Sequence, residues 1–179
     1  MGATKYPITD SDFRIKVFGA CENPEERGLI SILDITGMHI SCAVKLTEKN
    51  LIKQGSTVYI RWQRAKTSKT LRFPVPKDRL EDITHFIKRK RRKTTRAYFD
   101  TIKAIGRRAG YDEVSSMTFR HNRAIRALTE EGMDIYQVPH MLGCSLNVVA
   151  RNYTVQQLDE QHRKRETDQE NYQDDDDEN

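Results

Sequence analysis

Thr57-Val58-Tyr59-Ile60-Arg61-Trp62-Gln63, then Arg64-Ala65-Lys66-Thr67-Ser68-Lys69, then Thr70-Leu71-Arg72-Phe73-Pro74-Val75-Pro76, is the stretch on which the fold turns. Val58, Ile60 and Trp62 recur at every second position, as do Leu71, Phe73 and Val75, and a polar, basic tip separates the two runs. Period two on both sides of a short polar turn predicts a β-hairpin. A third short strand is expected near Leu51, and Pro74 and Pro76 close the strand region.

Helical spacing surrounds this island. Upstream, Phe13, Val17 and Ala20 mark a helix over 9–20 capped by Thr9 or Ser11. Asn23 and Pro24 start a second one that stops at Gly37, with Leu29, Ile32 and Leu33 on its core face. A short third helix is expected over 40–46. Downstream, helices are expected over 78–92, 94–109 (stripe Tyr98, Ile102, Ile105), 117–131 (Ala124, Ile125 and Leu128 inward), 134–142 and 145–152. The tail from 155 has no sustained apolar stripe and reads as a helix running into disorder. The reading is an α+β chain, mostly helical, with a small three-stranded antiparallel sheet inserted early. Its domains are 1–154 and a C-terminal tail, 155–179.

Composition narrows the function classes. The chain has 179 residues, 36% hydrophobic and 32% charged, enough for one well-packed domain with a tail. No apolar run approaches the roughly 20 residues of a membrane helix, so no membrane partner is expected. The first residues lack a signal peptide's apolar region, and three cysteines without a CxxC suit a reducing compartment. An intracellular, DNA-associated protein, in the cytoplasm of a prokaryotic or virus-infected cell, is the expectation. The net charge of +5 hides segregation, because five of the 26 acids are Asp174 to Asp177 and Glu178. Setting these aside leaves 31 cations against 21 acids. Lys88-Arg89-Lys90-Arg91-Arg92-Lys93-Thr94-Thr95-Arg96 is the densest basic stretch. Such a run suits phosphate neutralisation or, equally, a solvated helix face.

Four motifs then occur in one order: Thr36-Gly37-Met38-His39-Ile40-Ser41; the hairpin tip from Lys66 to Pro76; Met117-Thr118-Phe119-Arg120-His121; and Gly132-x-Asp134-Ile135 through Met141-Leu142-Gly143-Cys144-Ser145 to Tyr153. Together they resemble the catalytic domain of the tyrosine recombinases, the phage integrase family, over residues 5–155. The resemblance implies a helical bundle with a small sheet, and DNA breakage and rejoining without a cofactor. It implies Tyr153 as nucleophile, anchored by Val149 one turn below, and Arg120 as the phosphate clamp. Lys66 is implied as general acid, with Lys69 as a rival. Planar arginines stabilise the charge that builds on the phosphoryl oxygens.

Departures accompany the likeness. His39 stands where the family has its first arginine, Cys42 where it has an acid, Met117 where it has a histidine, and Cys144 where it has a second histidine. Imidazole offers one donor to a phosphate and is only partly charged near neutrality, and a thiol is a poor donor. The departures suit either a divergent lineage, archaeal or archaeal-viral, with His121 or His140 compensating, or a decayed relative that only binds DNA. The expected partner is double-stranded DNA, touched through Lys69, Arg72, Lys88, Arg89, Lys90, Arg91 and His121. No cofactor and no metal are expected, although His140 and Cys144 have an i, i+4 spacing that zinc could use. Residues 155–170 could dock on a neighbouring copy to form a homo-oligomer on DNA, or the tail could be a solubilising segment whose acids compete with DNA. Family members carry a core-binding domain ahead of the catalytic one, whereas this chain starts at the catalytic helices, so its own DNA affinity should be weak. That affinity should also fall with salt, with a log–log slope near −0.9 for each phosphate neutralised, measurable by a binding titration across a salt series.

Overall fold

The computed structural model describes residues 10–63, 70–90 and 93–150. The chain divides into two compact units, residues 1–124 and 125–179. The division falls inside a helix, where composition gives no signal.

In the first unit the elements run α1 (Phe13–Gly19), α2 (Pro24–Thr36), α3 (Ile40–Ala43), β1 (Leu51–Gln54), β2 (Thr57–Gln63), β3 (Thr70–Val75), α4 (Leu80–Lys88), α5 (Thr95–Arg108) and α6 (Ser116–Thr129), the last of which crosses the division. The sheet is antiparallel in the order β1-β2-β3. Ile60, Phe73 and Val75 are buried, and Arg61 and Arg72 are exposed, as period two requires. Pro74 lies within β3 rather than after it. It is tolerated there because β3 is an edge strand, where a missing N–H costs no ladder bond.

The helix of Asn23 and Pro24 is the core of this unit. Asn23 Oδ1 accepts from the Glu26 N–H at 2.9 Å, which satisfies an otherwise orphaned donor of the first turn. At the other end Gly37 adopts φ 61°, a left-handed conformation that costs other residues about 1–2 kcal/mol. Between them α2 is buried on nearly every side, from Leu29, Ile30, Ile32 and Leu33 to the polar Glu26, Ser31, Asp34 and Thr36. Its buried acids are paired: Arg14 forks onto Asp34 (2.8 Å from Nη2), and Arg108 bonds Glu26. A lone buried charge would be strongly unfavourable, so the pairing is a condition of burial.

Two glycines allow backbones to approach. A Cβ on Gly28 would lie 2.2 Å from the Asp82 carbonyl oxygen and 2.6 Å from Phe86 Cβ, so α2 and α4 touch there without side chains between them. A Cβ on Gly106 would meet Val114 at 2.6 Å, which closes α5 onto the turn before α6.

Several helices are shorter than periodicity suggests. α1 begins at Phe13 with Asp12 at its N-cap, where Thr9 or Ser11 was expected; Asp10 Oδ1 accepts from the Asp12 N–H at 2.8 Å in the preceding turn. Thr9 itself is outside the described residues. α3 ends at Ala43, and α4 at Lys88, because Arg89 turns extended (φ −52°, ψ 132°).

The second unit contains the last turn of α6, then α7 (Gln137–Leu142) and α8 (Leu146–Val149). Gly132 takes φ 65°, and the Met133 N–H donates to the Ala127 carbonyl at 2.8 Å to close α6. Asp134 Oδ1 accepts from the N–H groups of Tyr136 and Gln137, both at 2.8 Å, and so starts α7. Gly143 ends α7 at φ 79°. Among the described residues no helix is long and apolar enough to cross a membrane. All three cysteines are free thiols, and burial pushes that of Cys21 up to about 12.

Replacing Gly28 by alanine should force α2 and α4 apart. Overpacking of this kind costs about 1–3 kcal/mol, and the denaturation midpoint of Gly28→Ala should fall accordingly, with an unchanged m-value.

Candidate active site

The Thr36-Gly37-Met38-His39 motif is a turn built from its own side chains. Thr36 is buried; its hydroxyl donates to the Ile32 carbonyl at 2.6 Å and accepts from the Met38 N–H at 3.1 Å. The Gly37 N–H donates to the Leu33 carbonyl at 2.9 Å. After this turn the backbone extends through His39 (φ −64°, ψ 145°), which occupies the N-cap of α3 with its side chain exposed and not used in capping. Threonine and glycine are therefore required for geometry, and histidine is the residue they present.

α6 supplies the other half. Its first turn is set by Thr118, whose hydroxyl accepts from the Ser115 N–H at 3.1 Å while its own N–H donates to the Ser115 carbonyl at 3.1 Å. One turn later come Arg120, His121 and Arg123, all buried. Arg120 Nη1 donates to the Gly37 carbonyl at 2.8 Å, and Arg123 Nε to the Ile35 carbonyl at 2.9 Å. The carbonyls at the end of α2 are orphaned acceptors with a partial negative charge, so guanidinium groups are natural partners there. Arg123 was not singled out by its sequence; its spacing of i+3 from Arg120, one helical turn, is the signal that would have found it.

Arg120 sits at the centre of this group. Desolvation first, and then its positive charge, pull both His39 and His121 below the ordinary histidine value of 6.5. Both imidazoles are thus mainly neutral at neutral pH. Because the unfolded chain takes up these protons more readily, their effect on stability is absent above 6.5 and becomes unfavourable as pH falls below it. The arrangement is one fixed guanidinium with an exposed imidazole and a buried one beside it, which suits an oxyanion.

The other expected site residues are distributed over both units, and some lie outside the described residues. Cys42 is half-buried within α3, its N–H donating to the His39 carbonyl at 2.8 Å, and Met117 is half-buried at the start of α6. In the second unit Cys144 is half-buried between α7 and α8, His140 is exposed, and Val149 is buried. Lys66, Lys69, Arg91 and Tyr153 lie outside the described residues. Among the described residues no three His, Cys, Asp or Glu side chains gather as a metal site.

The basic run does not act as one surface. Lys90 is exposed, and Lys88 is exposed with its Nζ 3.6 Å from Glu48. Arg89, in contrast, folds inward: its guanidinium lies 3.7 Å from the centre of the Phe86 ring and donates to Tyr98 Oη (2.6 Å), to the Val44 carbonyl (3.1 Å) and to the Phe86 carbonyl. Tyr98 in turn donates to Glu25 at 2.8 Å. Arg89 thus joins α4 and α5 to the segment after α3. Arg72 is exposed on β3.

The sequence model of the phage integrase family matches residues 14–160. Among solved structures, the fold is similar to the XerA recombinase (TM-score 0.68, 18% identity, covering 91% of this chain and 66% of that one). It is similar to the XerH site-specific recombinase bound to difH substrate in a pre-cleavage complex (TM-score 0.65, 20% identity, 83% of this chain and 50% of that one). It also resembles a lambda integrase dimer bound to a COC′ core site (TM-score 0.63, 15% identity, 85% of this chain and 49% of that one). The chain thus spans from about half to two thirds of the length of these recombinases. No curated protein sequence matches it.

An anion between His39 and Arg120 would offset the repulsion that, after desolvation, lowers the His39 pKa. Phosphate or DNA binding should therefore raise the His39 pKa, seen in its imidazole resonances by NMR, and affinity should increase as pH falls below 6.5. In His39→Gln that pH dependence should shrink.

Proposed function

The chain belongs to the phage integrase family, and from that premise we propose that it performs site-specific DNA recombination, integration or excision, by cutting and rejoining strands through a 3′-phosphotyrosyl bond on Tyr153. The observation that carries this reading is the Arg120–Gly37 bond, which brings the clamp arginine beside His39. It is supported by the span of the family match, residues 14–160, which includes positions 39, 66, 120, 144 and 153.

In this reading the Tyr153 oxygen attacks a backbone phosphorus. A P–O bond forms to tyrosine as the bond to the 5′-oxygen breaks, and Lys66, or its rival Lys69, protonates the departing oxygen. The energy of the broken bond is kept in the new one, so rejoining needs no cofactor. Arg120, its plane fixed by Gly37, and His39 meet the charge on the non-bridging oxygens, and Cys144 stands where a second donor acts in the family. Loss of one such donor typically costs about 10²–10³ in rate. The unusual residues at 39, 117 and 144 therefore make a slow enzyme. Residues 1–154 form the catalytic region, and residues 155–170 dock on a neighbouring copy; a lambda integrase dimer bound to a core site and a tetramer bound to a Holliday junction are among the similar structures. The protein acts inside the cell on double-stranded DNA.

A second reading, a DNA-binding relative with a degenerate site, is favoured by one observation: the place of the first arginine is held by an imidazole that desolvation, and then the Arg120 charge, hold below the ordinary histidine value.

Incubation with supercoiled plasmid and nicked suicide duplexes separates the two. Denaturation-resistant protein–DNA adducts are expected from the unaltered chain and should be absent with Tyr153→Phe. Salt-dependent binding with no adduct on any substrate, including one bearing the cognate site, would leave the degenerate reading.

A further inference from the structure

Arg61 of β2 and Arg72 of β3 stand directly opposite each other in the antiparallel register. Side chains of such a pair emerge on the same face, with Cβ atoms about 4.5–5.5 Å apart, and like charges in this position are unfavourable. Both arginines are exposed, and neither is ion-paired among the described residues. Other arginines of the first unit are ion-paired: Arg14 with Asp34, Arg27 with Asp82, Arg108 with Glu26. Arg61 and Arg72 have no such carboxylate among the described residues.

Its other positions sharpen the point. Gln63 and Thr70 form the neighbouring pair toward the hairpin tip, and Tyr59 lies on the other side. Arg72 reaches along the face, its Nη1 3.5 Å from Gln54 Oε1 on β1, which confirms that these side chains share one surface. Strands β1 to β3 contain no aspartate or glutamate at all. The segment that joins β2 to β3 adds Arg64, Lys66 and Lys69 to the sequence. Two facing guanidiniums, with amide and hydroxyl donors beside them and no carboxylate, are complementary to a row of phosphates.

We propose that this sheet face, centred on the Arg61–Arg72 pair, grips the DNA backbone at phosphates other than the one being cleaved. The proposal rests on the DNA-recombinase reading and adds a second contact to it. The like-charge pair is unfavourable in the free protein and is neutralised when the phosphates arrive. Stability and binding should therefore respond in opposite directions when it is removed.

The test uses the full chain with Arg61→Gln, Arg72→Gln and the double variant, duplex-binding titrations over a salt series, and thermal unfolding. Each single change should reduce the log–log salt slope by about 1 and weaken binding alike for unrelated sequences. The double change should remove about 2, and Arg72→Lys should restore its share. The Tm should hold or rise. Unchanged slopes in variants, with the unaltered chain binding duplex, would overturn the proposal and leave the recombinase reading standing. A lower Tm with an unchanged slope would mark the pair as structural and overturn it. Competition by polyglutamate alone, with the duplex slope unaltered, would reassign the face to an acidic protein. An unaltered chain that binds no duplex at all would sink the DNA reading and this proposal together.

Discussion

The end of α2 is where this structure is tied together. A helix that stops in the interior leaves carbonyl oxygens without donors, and burying them unmet is costly. Here α6 meets two of them with charged donors, Arg123 on Ile35 and Arg120 on Gly37, across 88 and 83 residues of chain. A hydrogen bond to a charged group contributes about 1.5–3 kcal/mol, so the pair is a substantial fraction of a domain's net stability. The same two bonds settle where His39 stands relative to Arg120. The packing and the proposed chemistry thus depend on one contact, and a change at Gly37 or Arg120 acts on both.

That dependence explains an otherwise awkward feature. Arginine carries its charge at any accessible pH, whereas imidazole does not. At position 39 desolvation, and then the positive charge of Arg120 held by Gly37, draw the histidine below its ordinary value. A ligand of opposite charge offsets the Arg120 part of this. The residue that departs from the family's pattern therefore couples the charge of the site to its occupancy, a property that a second arginine would not have.

Charge elsewhere follows the same logic of obligation. Glu26 and Asp34 are accepted inside α2 because Arg108 and Arg14 accompany them. Arg89 is drawn out of the basic run because Phe86, Tyr98 and the Val44 carbonyl surround it with acceptors and ring faces. Arg61 and Arg72 on the sheet face each other with no such carboxylate among the described residues.

Local signals carried much of this architecture. Asn23-Pro24 and Gly37 bounded α2 to the residue, alternation from Thr57 to Val75 predicted the hairpin, and the stripe Tyr98, Ile102, Ile105 marked the buried face of α5. These are effects of neighbours within about one turn or one strand pair, which a sequence displays directly. The motifs likewise named His39 and Arg120. What the sequence could not display was which groups would be consumed by partners far along the chain. Arg89 reads as one of seven equivalent cations until Tyr98 and Val44 are placed around it. Arg123 has no distinction until Ile35 is beside it, and Gly28 is an unremarkable helix glycine until α4 arrives at 2.2 Å from its missing methyl. Helix type, strand register and candidate chemistry were determined by the sequence itself, because each arises from short-range periodicity and covalent geometry. Which charges stay exposed, and what proton His39 holds, were decided only by tertiary structure, because desolvation and Coulomb interactions depend on distance in space and not along the chain.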